Sequence, residues 1–210
     1  AHREDYIVET LVYLTLEDKE FELEYWFDIG VNSTNRFKRH HIALEYGITN
    51  KWMIDGRITG LDAQGFDFES SRLETRYRFL EEGDLPFDIA VSLEFNNFRD
   101  KDGHICYGIE PRLIFSKDFG KLNFTINLSE EIPFSSDNPS LDIRGGIRYD
   151  ATSFIRFGSE FLYNEEENSF ILIPQVWFDF PRGVTLKTGY FYDFGESHER
   201  FIRATLEVEV

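Results

Sequence analysis

The chain has 210 residues, 41% of them apolar, and a formal net charge of −17. That is one domain's worth of sequence, and its acidity excludes a nucleic-acid partner, because phosphate recognition needs a basic footprint. No apolar run approaches the ~18 residues of a spanning helix, but a β-barrel, whose strands dilute apolar residues at every second position, is not excluded.

Taken in chain order, residues 1–18 come first. Ala1 fits a mature chain left by cleavage after a small residue. "DYIVETLVYLTLE" reads either as one more strand or as a plug lying in or under a lumen. From residue 19 the pattern is strict period-2 alternation. Phe21, Leu23, Tyr25, Phe27 and Ile29 oppose Glu22, Glu24, Trp26 and Asp28. Ile42, Leu44, Tyr46 and Ile48 oppose His41, Ala43, Glu45 and Gly47, and Trp52, Ile54 and Ile58 oppose Asp55, Arg57 and Thr59. Leu73, Thr75, Tyr77 and Phe79 then oppose Arg72, Glu74, Arg76 and Arg78. The same alternation recurs over 87–96, 105–115, 122–129, 141–150, 155–163, 170–179, 184–193 and 202–210. This predicts about 12 strands of roughly 10 residues, the length a tilted strand needs to cross a bilayer.

The connections fall into two sets. Tight ones lie at 49–51, 117–120, 151–153 and 181–183, with 81–86 the longest of that set. Mostly longer and more polar ones lie at 31–38, 99–103, 133–140, 165–168 and 196–199. Short turns on one side and longer loops on the other are the habit of outer-membrane barrels.

Which face is inside decides what the protein is. A soluble sandwich or lipocalin-like barrel would bury the Phe/Ile/Leu rows and point the charges at water. Three features favour the reverse. Strand after strand is about twice the usual soluble length of about 5–6 residues. Gly47, Gly108, Gly146, Gly158 and Gly189 fall on the polar face, where they suit a crowded lumen. Tyr25, Tyr46, Trp52, Tyr107, Tyr149, Tyr163, Tyr190 and Tyr192 sit near the ends of the apolar rows, as interfacial aromatic belts do. An aromatic content of 17%, with 22 Phe and 10 Tyr, suits such belts. The expected fold is an all-β, transmembrane, antiparallel up-and-down barrel with a charged lumen and a lipid-facing apolar exterior.

On these residues the chain resembles bacterial outer-membrane β-barrel proteins over 19–210. "LEYGITNKWMIDG" is similar to a strand-turn-strand unit common in outer-membrane transporters, including the phenol-degradation MetA-pathway type. Size and strand count resemble the small monomeric channels for acidic sugars, such as the oligogalacturonate and sialic-acid porins. One departure is the end of the sequence, Glu207-Val208-Glu209-Val210, where such barrels usually finish on an aromatic residue. The resemblance implies a porin-like channel in the outer membrane of a Gram-negative bacterium. Its partners would be the bilayer with its lipopolysaccharide and small polar solutes or ions, with no protein partner assigned.

Lumen charges are the functional candidates. Arg72, Arg76 and Arg78 form one basic row, and Arg144, Arg148 and Arg156 form another, about four strands further round. Two facing basic rows would favour anions despite the net charge. Glu110 and Arg112 lie on the same polar face. In the alternative reading each arginine pairs with a neighbouring acid, Asp55, Glu74, Glu94 or Glu160, and braces the wall. Either way, long side chains from facing walls predict a narrow, low-conductance path.

His40, His41, His104 and His198 fall at or beside the longer loops and read as solvated loop residues. "RDKDGH" around His104 lacks the later ligands of a calcium loop, so no metal or cofactor is expected. Ser197-His198 adjacency is not a catalytic geometry. No catalytic residue is therefore assigned, and Cys106 reads as a small lumen-facing residue. The alternatives to a channel are a non-transporting scaffold that anchors a partner and, behind it, a barrel enzyme.

Overall fold

The structure, a computed structural model, describes residues 8–32, 35–62, 65–79, 86–99, 103–135, 138–165, 168–195 and 198–209. The alternating segments form β1 (Phe21–Val31), β2 (Arg36–Thr49), β3 (Trp52–Asp62), β4 (Phe66–Arg78), β5 (Asp88–Arg99) and β6 (Ile105–Phe119). They continue as β7 (Leu122–Pro133), β8 (Ser140–Asp150), β9 (Ile155–Asn164), β10 (Ser169–Phe180), β11 (Val184–Asp193) and β12 (Arg200–Glu209). Each strand pairs antiparallel with its neighbours in sequence, and β1 pairs with β12, so 12 strands close into a barrel. Closure leaves no sheet edge and satisfies the ladder hydrogen bonds within the wall, which hydrocarbon requires.

The question of faces is settled by burial. Ile42, Leu44 and Ile58 are 56%, 49% and 62% exposed, whereas Glu24, Glu45 and Asp28 are all 0% exposed. A soluble barrel would show the opposite assignment. The apolar rows lie outside, and the charged rows line the interior. Tyr25, Tyr46, Trp52, Tyr107, Tyr149 and Tyr190 are exposed on the outer wall, while Tyr163 and Tyr192 are half-buried.

One connection differs from the expected set. β4 begins at Phe66, so a further loop joins β3 to β4 at the loop-bearing end of the barrel. The alternation fades there for a physical reason. The register between β3 and β4 shifts between Thr59 and Gly60, so Thr59 faces Ser70 while Gly60 faces Phe68. Such a bulge inserts an extra residue and breaks the period of two. Gly60 also leaves room for the Phe66 ring, whose Cζ would lie 2.4 Å from an added Cβ.

The stretch ahead of β1 forms no rung of the wall. Among the described residues, 8–16 run through the interior, with Glu17 and Asp18 exposed at its end, and Leu11, Val12, Tyr13 and Leu16 are each at most 3% exposed. Leu11, Val12 and Tyr13 pack with Ala90, Ile114 and Trp177, a buried apolar cluster inside a largely polar lumen. Val8 packs with Phe37, Ile173, Phe191 and Phe201 in a second one. Buried polar groups need partners, and the wall supplies them here. Asn127 is bidentate on Leu11, its Oδ1 accepting the Leu11 N–H at 2.8 Å and its Nδ2 donating to the Leu11 carbonyl at 2.8 Å. Ser116 Oγ accepts the Tyr13 N–H at 3.2 Å.

The segment leaves past Gly47, where a Cβ would lie 1.8 Å from the Glu17 carbonyl oxygen. Only glycine permits that approach, and the Lys19 N–H donates to the Gly47 carbonyl at 2.8 Å. Residues 1–7, the remainder of the N-terminal stretch, lie outside the described residues, as does Val210.

Candidate functional site: the lumen

Inward-facing side chains form a continuous ion-paired band around much of the wall. Arg57 donates to Glu24 at 3.1 Å and lies 4.0 Å from Asp55. Asp55 holds Arg72 at 3.0 Å, and Arg72 reaches Glu94 at 3.5 Å. Glu94 lies 3.9 Å from Arg112, which donates to Glu110 at 2.6 Å. Glu110 lies 3.7 Å from Arg144, which donates to Asp142 at 3.3 Å. The band therefore passes from β1 through β3, β4, β5 and β6 to β8. Alternation places these groups on one face, and the strand register brings opposite charges within reach.

The remaining predicted lumen residues are also engaged. Arg76 pairs with Glu74 at 2.9 Å and donates to the carbonyls of Val12 and Leu14 at 3.4 and 3.2 Å. Arg78 donates to the Asn50 carbonyl at 2.6 Å. Arg148 pairs with Asp150 at 3.1 Å and Arg156 with Asp179 at 2.6 Å. The two basic rows thus do not face each other across open space. Acids stand beside most of these arginines, and the N-terminal segment lies within the lumen.

Glu160 has a different role from the arginine partner expected of it. Its carboxylate accepts three successive backbone N–H groups, from Val8 at 2.8 Å, Glu9 at 3.0 Å and Thr10 at 2.6 Å. Successive amides of this kind make an anion nest. Gln175 Nε2 also donates to Glu160 at 2.6 Å, and Trp177 Nε1 donates to Gln175 Oε1 at 2.6 Å. A wall carboxylate thereby fixes the start of the described segment.

His41 is not a solvated loop residue. It is buried on the inner face of β2, with Nδ1 2.9 Å from Thr59 Oγ1 and Nε2 3.1 Å from Asp28 Oδ2. Alternation alone places it inside, since it shares parity with Ala43 and Glu45. His40 meets the Tyr25 hydroxyl at 2.8 Å on the opposite, outer side. Asp100 and Asp102 of the 99–104 stretch and Ser197 beside His198 lie outside the described residues.

Several lumen groups were not singled out from sequence. Asp28 and Arg203 form a bidentate pair, Nε–Oδ1 2.7 Å and Nη2–Oδ2 2.7 Å. The Trp26 ring carries the Arg57 guanidinium at 3.4 Å and the Arg203 guanidinium at 4.5 Å. Glu9 of the N-terminal segment contacts Arg203. Lys187 is paired with Glu207, and the carboxylates of Glu22, Glu24 and Glu207 come within 4.8 Å of one another. The signal for these groups was present, since all but Glu9 sit on the polar rows. Their partners lie far away in sequence, and pairings such as Asp28 with Arg203 follow only from barrel closure.

No protein-family model matches the sequence, and no curated protein matches it. Solved structures do match. An outer membrane channel from Pseudomonas putida aligns with a TM-score of 0.68 at 10% identity, over 99% of this chain and 100% of that one. The KdgM porin aligns at 0.64 and 10% identity, over 89% and 98%. The NanC porin aligns at 0.60 and 12% identity, over 87% and 97%. The fold is that of outer-membrane porin barrels.

Proposed function

We propose that the chain is an outer-membrane channel for small polar solutes or ions, with the N-terminal segment held in its lumen as a plug. One observation carries this reading. Residues 8–16 are tied to the interior by hydrogen bonds and packing but are not woven into the wall. A wall strand could not leave without opening the barrel, whereas an inserted segment can. The porin fold supports the reading, and a solved structure of the KdgM porin is described as a complex with disordered oligogalacturonate. The apolar belt places the barrel in a bilayer, and the fold points to the outer membrane of a Gram-negative bacterium, with its lipopolysaccharide. No catalytic step belongs to this reading.

The rival reading is a non-transporting scaffold, favoured by the filled, charge-paired interior. Planar-bilayer recordings separate the two. The full chain should show small, low-conductance events. A chain beginning at residue 19 should keep the heat-modifiable gel migration of a folded barrel and conduct several-fold more. If neither form passes ions, the scaffold reading stands. If the shortened chain fails to fold, the segment belongs to the barrel's structure and is not a removable plug.

A further inference from the structure

The outer wall carries a group of cations at its loop-bearing end. Arg36, Lys38 and Arg200 are all exposed there, and among the described residues none of the three is ion-paired. Arg99, at the same end, is by contrast paired with Asp67 at 3.3 Å. The register brings the three together. Val31 on β1 faces Arg200 of β12 on one side and Arg36 of β2 on the other, so this rung crosses the seam where the barrel closes. Lys38 lies two residues further along β2, on the same face as Arg36 and opposite Ile29. Strands lie about 4.8 Å apart, so Arg36 and Arg200 start from backbones roughly 10 Å apart, and their long side chains can meet on one anionic group. Alternation sends their neighbours Phe37 and Phe201 inward, where both are buried.

Nearby acids do not cancel this charge. Glu199, beside Arg200 in sequence, is engaged by Arg39 at 2.9 Å. Asp62 stands opposite Lys38 in the register, with no ion pair between them. Arg200 is steadied by Tyr192 instead: it donates to the hydroxyl at 3.1 Å, and its guanidinium lies 4.5 Å from the ring centroid. A stacked guanidinium keeps further donors for a phosphate. Toward the turn end, the same three strands present apolar side chains outward. Ile29, Ile42, Leu44, Ile202 and Leu206 are between 42% and 56% exposed. Cations above an apolar wall fit a molecule with an anionic head and acyl chains. The longer loops of such barrels face outward, which puts this end in the outer leaflet.

We propose that Arg36, Lys38 and Arg200 form a phosphate-binding site on the outside of the barrel for a phosphorylated glycolipid of the lipopolysaccharide class. Its acyl chains lie along the wall below. A phosphate held by Arg36 and Arg200 together spans β1, so the lipid bridges β12, β1 and β2 and stabilises the closed barrel by binding. The proposal goes beyond the channel reading. It rests on the bilayer placement and on the loops facing outward, not on conduction.

The test uses the full chain in detergent micelles doped with bisphosphorylated lipid A, with the same glycolipid stripped of its phosphates, with phosphatidylglycerol, or with inorganic phosphate. Native mass spectrometry counts bound lipid, and gel migration after heating gives the melting temperature of the barrel. Lipid A should bind the native chain and raise that temperature. Arg36→Gln combined with Arg200→Gln should bind it roughly 30-fold more weakly, about fivefold for each arginine facing an anionic lipid. Arg99→Gln should bind it as the native chain does. The stripped glycolipid should bind the native chain no better than lipid A binds the double variant. Equal lipid A affinity in the native chain and the double variant, or equal binding of lipid A and its stripped form, overturns the proposal. So does equal binding of phosphatidylglycerol, or equal protection by inorganic phosphate, since the site would then be general for phosphate. If the double variant does not fold, Lys38→Gln alone should lose about fivefold in affinity, and an unchanged affinity there also overturns the proposal. A chain that passes no ions yet binds lipid A in this pattern sinks the channel reading and leaves this one standing.

Discussion

Replacing Arg112 with methionine should lower barrel stability by about 3–5 kcal/mol, the range for breaking a buried ion pair. The Arg112 side chain is 0% exposed and lies among Glu74 at 3.4 Å, Glu94 at 3.9 Å and Glu110 at 2.6 Å. Methionine keeps much of the volume but removes the charge. The three carboxylates then face one another with less compensation, in a place where water cannot screen them well. Arg76, Arg72 and Arg144 still reach Glu74, Glu94 and Glu110, which sets the loss toward the lower end of the range. Adding Glu110→Gln should recover part of it, because one of the repelling charges goes too. Urea unfolding in lipid vesicles, followed by tryptophan fluorescence, measures both. An unchanged midpoint for Arg112→Met would mean that the band of ion pairs does not hold the wall together.

Leu44→Arg should cost about 2–4 kcal/mol, the cost of a cation on the lipid face near the bilayer midplane. Leu44 is well inside β2, opposite Leu23 on β1 and Gly56 on β3, and is 49% exposed to the outside. In a soluble protein an exposed leucine at that level of accessibility could become arginine at little cost. The size of the effect therefore reports the solvent on that side of the wall. The neighbouring outward site Ile58, 62% exposed, should behave alike. Vesicle unfolding gives the difference directly, and a change within about 0.5 kcal/mol would place that surface in water.

The wall was legible because one rule, strict alternation, governs nearly all of it. Phe21 to Ile29, or Ile42 to Ile48, can be sorted into two faces without knowing any partner strand. The rule failed where the backbone broke it: the bulge at Thr59 and Gly60 hid the start of β4. It also said nothing definite about residues 8–18. Leu11, Val12, Tyr13 and Leu16 are apolar on both sides of any strand, since they pack inside a lumen on more than one face. Parity gave the only hint, an even-numbered wall having no place for one more strand. The lumen residues were legible as a set, Arg72, Arg76, Arg112 and Arg144 among them. Their partners were not, because register and closure choose them. Glu160 shows this best: a glutamate on the polar row of β9, it caps amides more than a hundred residues away in sequence.

The central claim is that the charged rows face the lumen and the apolar rows face lipid. Nitroxide labels placed one at a time at Ile42, Ala43 and Leu44, with the protein in lipid vesicles, test it most directly. Molecular oxygen concentrates in lipid and a polar nickel complex in water, so paired relaxation measurements distinguish the two. Labels at Ile42 and Leu44 should be strongly accessible to oxygen and shielded from nickel, with the label at Ala43 shielded from oxygen between them. Oxygen access peaking at Ala43, or nickel access at Ile42 and Leu44, would contradict the account.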